Sequence, residues 1–511
     1  MLARAHTFTI EGLHTRHVTV EVDVRPGLPA FTIVGLADAT VREARERVQA
    51  AIHNCGYEFP ARRITANLAP GDIPKAGPGL DLAIACALLA ASGQLRPERL
   101  ESVALFGELA LDGRVRPAHG TLAVAEATRS LGLPRLALAA SRAREARLID
   151  GLEVSAVRHL RSAVRVLEGG EGDPLPQRKP ATPDALEAAV RTDLDLGDVR
   201  GQAHAVDALV IAAAGSHNVL LSGAPGTGKT MLAQRVCSIL PPLSKSEAIE
   251  VTRIHSLLDT RVESLARARP FRAPHHTTTA AGLVGGARRG SVGEVVLAHN
   301  GVLFLDELSE FSRMALEALR QPLEDGRVAI ARASHSAVYP ARFMLLAATN
   351  PCPCGYAGEA ERCGCSEAQL ARHARRLSGP LLDRIDLLVN LTRADAGDER
   401  TTARVSSAQA RERVLAARER QAHRQGAEGA RANAQLDARM LREHARLDAK
   451  GEEMMRAARE RGLLSVRGEH RALRVARTIA DLRGSERVQV RDLGAALALR
   501  TSAAGGGRHV A

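Results

Sequence analysis

The sequence predicts an α/β protein with three structural regions, and three observations carry this prediction. Between about residues 190 and 395, short apolar runs that end in glycine or polar residues alternate with helical segments, as in a parallel sheet covered by helices. Residues 1–168 mix strand-like runs with amphipathic helices, and residues 396–500 look almost wholly helical. We therefore expect an α+β N-terminal domain, a parallel-sheet core and an all-helical C-terminal domain.

The domain boundaries follow from changes in composition along the chain. HVTVEVDV (17–24) and AFTIVGL (30–36) read as strands, and ATVREARERVQAAIHNCG (39–56) reads as a helix. The segment that begins GGEGDPLPQRK is rich in Gly, Pro and charge, which predicts a linker over 169–188. The core would then span 189–395, and the tail TSAAGGGRHVA (501–511) is predicted to be disordered.

Charge and hydropathy narrow the class of partner. The net charge is +12, which suits a polyanion such as nucleic acid, although an arginine-rich composition with solvated faces explains it equally well. Aromatic residues make up only 2% of the chain, so stacking of bases on aromatic platforms is not expected. There is no apolar leader, and LAIACALLAA (82–91) is too short to span a bilayer. These features predict a cytoplasmic protein with no membrane partner.

Residues 223–230, GAPGTGKT, match the pattern G-x-x-x-x-G-K-[ST] of a phosphate-binding loop. The strand NVLLS precedes them and the helix TMLAQRVCSIL follows, which is the context the mechanism requires. Lys229 would reach the β- and γ-phosphates, and the hydroxyl of Thr230 would bind Mg²⁺. The predicted nucleotide-binding residues are Gly223, Ala224, Pro225, Gly226, Thr227, Gly228, Lys229 and Thr230.

The run GVLFLDEL supplies the acidic half of the predicted site. Its apolar strand ends in Asp306 and Glu307. Asp306 would hold Mg²⁺, usually through water, and Glu307 would orient and deprotonate the attacking water.

Together these motifs resemble those of the AAA+ ATPases, and further segments extend the resemblance. DVRGQAHAVDAL (198–209) is similar to the adenine-side segment, and Asn350 in LLAATN to the polar sensor. Arg384 in SGPLLDRIDL resembles the arginine finger, and Arg467 in SVRGEHRALRVARTIADL the second sensor arginine. The resemblance implies ATP and Mg²⁺ as cofactors and a site completed by a neighbouring subunit. Read singly, either arginine could equally form a surface salt bridge.

RPFRAPHHTTTAAGLVGG (269–286) and LEALRQPLEDGRVAIARA (316–333) are more specific. They resemble the magnesium-chelatase-like AAA+ proteins of the YifB/ComM group, and the likeness covers essentially the whole chain. It implies a hexameric ring with a β-hairpin before the sensor strand, at 327–343. Arg332 on this hairpin is the candidate DNA contact, with Arg327 and Arg342 spaced along it.

Two adjacent histidines, His275 and His276, could be metal ligands. Because no third ligand accompanies them in the sequence, we favour hydrogen bonding.

The N-terminal region resembles the Lon-type protease domain, which has a ribosomal S5-like fold. IPKAGPGLDLAIACALL (73–89) is similar to the segment that carries the nucleophilic serine, and HGTLAVAEA (119–127) to the segment with its lysine partner. Gly79 and Ala123 stand at the matching positions here. A serine–lysine mechanism needs both groups, so we expect no peptidase activity.

Four of the seven cysteines form a cluster, C-x-C-x8-C-x-C, inside the predicted core as an insertion at 351–366. Cys352, Cys354, Cys363 and Cys365 could bind zinc tetrahedrally, or they could remain reduced or redox-active thiols. The other three, Cys55, Cys86 and Cys237, lie in apolar contexts and read as core residues.

Three functions remain open from the sequence. The first is a ring-shaped ATPase motor on single-stranded or branched DNA, which the family resemblance narrows to a branch-migration helicase in recombination and natural transformation. The second is a magnesium-chelatase-type motor that remodels a metal-inserting partner. The third is a chaperone-like ATPase that acts on other proteins.

Overall fold

The computed structural model describes residues 1–176, 194–256, 264–286, 292–331, 336–357, 361–377, 379–392, 405–426 and 431–501. The chain divides into two compact units. The first comprises Met1–Asp184, Lys245–Ala266 and Ala333–Tyr339, and the second comprises Ala185–Ser244, Arg267–Arg332 and Pro340–Ala511. The predicted α/β class is confirmed, but the units follow other boundaries than the predicted domains: residues 245–266 join the first unit, and the sheet core and the C-terminal helices form one unit.

The first unit is built on a seven-stranded mixed sheet. Its strands are β1 (Leu2–Glu11), β2 (His14–Arg25), β3 (Ala30–Val34), β4 (Arg63–Ala69), β5 (Val103–Phe106), β8 (Arg135–Ala139) and β9 (Glu153–Val157), and a separate pair is formed by β6 (Glu108–Leu109) and β7 (Val115–Arg116). The order of strands in the large sheet is β3-β4-β2-β1-β5-β8-β9. Along β2 buried and half-buried residues alternate, so one face is turned to the core. The helices before the linker are Ala39–Asn54, Asp81–Ala91, Thr121–Ser130, Ala143–Ala146 and Leu160–Leu167.

Helix Asp81–Ala91 is the centre of this unit, because every one of its residues is buried. A helix that is apolar all round is expected inside a protein. Its one charged residue, Asp81, accepts hydrogen bonds from Arg47 at 2.7 and 3.1 Å. Burial raises the pKa of Asp81 to about 6, and the Arg47 guanidinium opposes that rise.

Helix Lys245–Ser256 packs onto the first unit, although it follows the phosphate-loop helix in sequence. Its Ile249 covers the cluster of buried residues that includes Leu122 and Leu136. Arg253 Nη1 donates to Glu126 Oε2 at 3.0 Å, and Lys245 pairs with Asp150.

The segment 169–176 also belongs to the first unit. Leu175 packs on the same cluster of buried residues, and the amide of Asp173 donates to the carbonyl of Ala156 at 2.7 Å. The predicted linker therefore starts inside a packed segment. Its remainder, 177–188, lies outside the described residues, as does the tail from residue 502.

The second unit contains a five-stranded parallel sheet. Its strands are β10 (Val219–Gly223), β11 (Phe271–Arg272), β12 (Val302–Leu305), β15 (Met344–Thr349) and β16 (Leu387–Leu391), and they lie in the order β11-β12-β15-β10-β16. Strands β12 and β15 are buried throughout, as expected for central parallel strands. A separate two-stranded sheet consists of β13 (Arg327–Ala331) and β14 (Ser336–Pro340), as the predicted hairpin requires, and residues 336–339 of β14 belong to the first unit.

Helices surround this sheet and continue to the end of the described chain. The C-terminal helices share one cluster of buried apolar residues with the sheet strands. The helices of the second unit are Ala203–Gly215, Lys229–Ile239, Ala280–Val284, Glu294–Leu297, Arg313–Ala318, Arg320–Asp325, Glu367–Arg376, Gly379–Leu382, Ser407–Gln425, Ala438–His444, Ala449–Glu460, Val466–Leu482 and Val490–Thr501.

A buried polar cluster ties helix Val466–Leu482, here called the lid helix, to the sheet. Asp386 Oδ1 accepts from Arg471 Nη1 at 3.0 Å, and its Oδ2 accepts from the amide of Asn218 at 2.9 Å. His217 Nδ1 lies 3.7 Å from Asp386 Oδ2, and its Nε2 is 2.7 Å from the hydroxyl of Thr478. Burial opposes ionisation of Asp386, but His217, Arg471 and the amide of Asn218 outweigh it and hold the pKa below its usual range.

Candidate nucleotide-binding site

The glycine-rich loop connects central strand β10 to helix Lys229–Ile239. Gly226 and Gly228 have φ values of 81° and 88°, a region that side chains disfavour and glycine enters freely. Gly228 is the residue before the helix, so the loop presents the first backbone N–H groups of that helix to an anion. These are the backbone features that the predicted phosphate-binding loop requires.

Lys229, the first residue of this helix, points back across the loop. Its Nζ donates to the carbonyls of Gly223 at 2.6 Å and Ala224 at 3.0 Å, and to Asn350 Oδ1 at 3.0 Å. Partial burial lowers the pKa of Lys229, while the charges of Asp306 and Glu307 oppose this. The predicted phosphate lysine and the predicted sensor are therefore brought together.

The magnesium-side residues also meet. Thr230 Oγ1 donates to Asp306 Oδ2 at 2.8 Å, so a hydroxyl and a carboxylate stand together where Mg²⁺ could bind both. The other oxygen of Asp306 accepts from the amide of Glu307 at 2.9 Å. Glu307 has φ 51°, a left-handed conformation that costs a non-glycine residue about 1–3 kcal/mol and is found at functional sites.

Sequence reasoning missed a partner of Glu307. His276 Nδ1 lies 3.4 Å from Glu307 Oε2, because β11 and β12 run in parallel and the chain leaves both at the same edge. The ring of His275 packs against that of His276 at 4.1 Å between centroids, and its Nδ1 is 2.9 Å from Thr277 Oγ1. The side chains beside the two histidines are thus Thr277 for His275 and Glu307 for His276. Within the described residues, only the four-cysteine cluster groups three or more potential metal ligands.

The two predicted arginines converge on a residue that the sequence did not single out. Arg384 Nη2 pairs with Glu324 Oε1, and Arg467 Nη1 lies 3.8 Å from the same oxygen. Arg384 also donates from Nη1 to the carbonyl of Pro380 at 2.5 Å. The side chain of Arg467 is 70% exposed and that of Arg384 only 9%, so Arg467 is the more accessible of the two.

The cysteine cluster lies directly after β15. All four sulfur atoms are within 4.8 Å of one another. A hydrogen bond from the amide of Tyr356 and then one from Cys352 lower the pKa of Cys354 to about 6. The loop touches the phosphate loop, because a Cβ on Gly355 would come within 2.5 Å of Pro225 Cδ.

Other predicted residues have simpler surroundings. Gly79 is buried, and a Cβ there would approach Phe106 Cζ to 2.8 Å, so position 79 has no room for a serine. Ala123 is also buried. The absence of peptidase activity stays a prediction. Arg327 and Arg342 on the hairpin are exposed, whereas Arg332 lies outside the described residues.

Within the parts of the chain that the structure describes, every helix is too short or too polar to cross a membrane.

A phosphate-binding loop after a central parallel strand, beside a strand that ends in two carboxylates, is the architecture of the P-loop nucleotide-binding class. Comparison with known proteins specifies the family. Residues 195–399 match the family described as magnesium chelatase, subunit ChlI, residues 20–141 match subunit ChlI of Mg-chelatase, and residues 404–500 match its C-terminal family.

Full-length relatives agree with these matches. YifB of Escherichia coli is 43% identical over 504 residues, which cover 98% of this chain and 97% of that protein. The competence protein ComM of Haemophilus influenzae is 43% identical over 508 residues, with the same shares. A Mycobacterium tuberculosis protein described only as uncharacterized is 44% identical over 510 residues, 98% of this chain and 99% of its own. The chain belongs to the magnesium-chelatase-like YifB/ComM family of AAA+ proteins.

Proposed function

We propose that this protein is a ring-forming ATPase that uses hydrolysis of Mg²⁺–ATP to move along or remodel DNA. One observation carries the ATPase part. Lys229, Thr230, Asp306, Glu307 and Asn350 converge at the carboxyl ends of three adjacent parallel strands, which is where ligands bind in open α/β sheets.

Each residue has a defined role in this proposal. Lys229 exchanges its two carbonyl partners for phosphate oxygens, and Asn350 supplies an amide group beside the transferred phosphoryl group. Thr230 and Asp306 hold Mg²⁺, and Glu307 orients the attacking water and takes its proton.

Arg384 acts as an arginine finger on the nucleotide of a neighbouring subunit in a ring, which family resemblance makes a hexamer, and Arg467 acts as the second sensor arginine on the helical lid. Each supplies positive charge as the γ-phosphoryl group leaves.

The DNA part rests on charge and on the hairpin. The chain carries a net charge of +12, Arg327 is exposed at the start of the two-stranded sheet, and Arg342 is exposed two residues after its second strand ends. By contrast, two arginines of the basic helix Ser407–Gln425 are engaged within the chain: Arg418 binds the carbonyl of Ala213, and Arg424 pairs with Asp481. Arg327 and Arg342 are therefore more accessible to DNA than Arg418 and Arg424. The name of ComM, a competence protein, favours a role in natural transformation, and the family resemblance narrows the substrate to branched DNA.

The test is the steady-state ATPase rate with and without single-stranded and four-way branched DNA, at two salt concentrations, with Glu307→Gln as the blank. We expect DNA to raise the rate at low salt and to lose this effect as salt increases, because binding to phosphates releases counterions. A branched-DNA unwinding assay and the mass of the assembly by light scattering complete the test of the motor and the ring.

Hairpin variants sharpen this experiment. Arg327→Ala and Arg342→Ala should weaken DNA binding, reduce the slope of log K against log salt by about 0.9 per lost phosphate contact, and leave the DNA-free rate unchanged. Arg313→Ala is the matched control, because this arginine is 85% exposed and pairs only locally with Glu317. A rate indifferent to DNA at both salt concentrations would instead favour a protein partner, either of the magnesium-chelatase type or a chaperone substrate.

A further inference from the structure

We propose that Cys352, Cys354, Cys363 and Cys365 bind a structural zinc ion, and that this zinc clip holds the phosphate loop in place for nucleotide binding and fixes the backbone of Asn350 beside it. The zinc site does not depend on the proposed ATPase function. Its effect on the nucleotide rests on the ATPase function proposed above.

The distances between the sulfur atoms fit a metal better than disulfides. Sγ of Cys352 lies 3.3 Å from that of Cys354 and 3.9 Å from that of Cys363, and the Cys354–Cys363 distance is 3.7 Å. Tetrahedral zinc with Zn–S bonds of about 2.3 Å places its ligands about 3.8 Å apart. A disulfide needs about 2.05 Å, so none of these pairs is bonded.

The surroundings of the cluster also suit a closed structural site. Cys352 is fully buried and the other three cysteines are partly buried. The amide of Ala357 donates to Cys352 Sγ at 3.2 Å, the kind of outer contact that fixes a thiolate ligand. Four cysteines with no vacant position are typical of structural rather than catalytic zinc.

Both ends of the clip return to Asn350. Cys352 follows Asn350 by two residues, and the helix Glu367–Arg376 begins two residues after Cys365. From that helix the buried His373 places Nε2 2.9 Å from the carbonyl oxygen of Asn350. The side chain of Asn350 in turn accepts from Lys229. A metal that closes residues 352–365 therefore fixes the backbone of the sensor from two directions.

The middle of the clip supports the phosphate loop. Gly355 has φ 88°, and its Cα faces the ring of Pro225, so that an added Cβ would come within 2.5 Å of Pro225 Cδ. Without the metal, Gly355 would no longer be held against Pro225. The phosphate loop would then lose conformational entropy when it binds nucleotide, which weakens binding.

The experiment measures zinc content and nucleotide affinity separately. Protein purified without chelators should contain one zinc per subunit by elemental analysis. The double variant Cys363→Ser/Cys365→Ser should lose it and bind a fluorescent ATP analogue at least about tenfold more weakly, as expected when binding groups are misplaced. Cys237→Ser, at a half-buried cysteine outside the cluster, should change neither quantity. Re-addition of zinc to chelator-treated protein should restore affinity.

Two further variants separate the possible failures. Gly355→Ala keeps all four ligands, so it should retain zinc and still weaken nucleotide binding. Lys229→Ala should lose nucleotide binding and keep one zinc, which distinguishes a failed ATPase proposal from a failed zinc proposal. Zinc well below one per subunit in protein with intact thiols would overturn the site. Wild-type affinity in both the double cysteine variant and Gly355→Ala would overturn the link to nucleotide binding.

Discussion

Arg384 and Arg467 share a single partner atom, the Oε1 oxygen of Glu324. They come from different parts of the chain, one after the helix Gly379–Leu382 and the other in the first turn of the lid helix. A carboxylate held by two guanidinium groups occupies the kind of position that a phosphate oxygen could take. The shared carboxylate thus holds the two arginine side chains close to each other.

We expect Arg384→Ala to lower the ATPase rate about 10³-fold, the lower end of the range for an arginine finger, with nucleotide still bound. If the arginine acts on a neighbouring subunit, mixing Arg384→Ala with Glu307→Gln should recover part of the rate, because each variant supplies what the other lacks. Rates of the separate and mixed proteins check this. Mixed assemblies that stay inactive would argue for a local structural role of Arg384.

Asn350→Ala should separate binding from hydrolysis. Lys229 and the phosphate loop remain available to the phosphates without the Asn350 side chain, so ATP affinity should change by no more than about twofold, whereas kcat should fall about 10²-fold through loss of a group beside the transferred phosphoryl. Equilibrium binding and single-turnover hydrolysis measure the two quantities. An equal loss in both would mean that Asn350 mainly supports the loop.

His276→Ala should lower kcat roughly tenfold to hundredfold, because Glu307 loses the side chain that lies beside its carboxylate and misplacement of a reacting group carries a cost of this order. ATP affinity should stay the same. His276→Gln, which can still donate a hydrogen bond, should recover part of the rate. The control is His275→Ala, since His275 contacts Thr277 and the ring of His276 rather than Glu307; an equal loss there would point to general disorder of this segment.

Asp386→Asn should destabilise the second unit by about 3 kcal/mol at neutral pH, because Arg471 is left with no charged partner in a buried cluster. The pKa of Asp386 is held low in the folded protein, so the ionised carboxylate stabilises the fold above its unfolded value of about 3.9. This stabilisation is lost as pH falls through the lower folded value. The difference in Tm between wild type and variant should stay constant from pH 8 to pH 5 and narrow below about pH 4.

Asp207→Asn is the control for that titration. Its carboxylate is 62% exposed and lies 3.7 Å from Arg413, and surface pairs of this kind contribute little. Its Tm should match that of the wild type at every pH. A difference that persists unchanged at pH 3 for Asp386→Asn would show that its charge is not the cause.

The sequence could predict the strand ends of the site because a strand and its end are marked by residues that are adjacent in sequence. An apolar run that ends in Asp306 or Asn350 shows both the strand and its carboxyl end, and parallel strands bring those ends to one edge. The pairing of Glu324 with two arginines, the His276–Glu307 contact and the approach of Gly355 to Pro225 join residues that are distant in sequence. No periodicity encodes them, since they depend on how the chain packs.

The helix Lys245–Ser256 shows the same limit at the level of domains. Its sequence looks like one more helix of the sheet core, yet its Ile249 side chain covers apolar residues of the first unit. Only the tertiary structure reveals this exchange, because an amphipathic pattern shows that a face is buried and not what buries it.

That exchange limits how the protein can be dissected. A fragment that stops at the linker would lack Ile249 and Arg253. The apolar residues that Ile249 packs against would then be exposed, and Glu126 would lose its partner Arg253. Exposed apolar surface of this kind promotes aggregation. Conversely, a fragment that begins after the linker would retain the helix Lys245–Ser256, and the apolar face of this helix would be exposed to solvent. Laboratories that wish to express either half separately would do better to replace Lys245–Ser256 with a short polar loop in one and append it to the other.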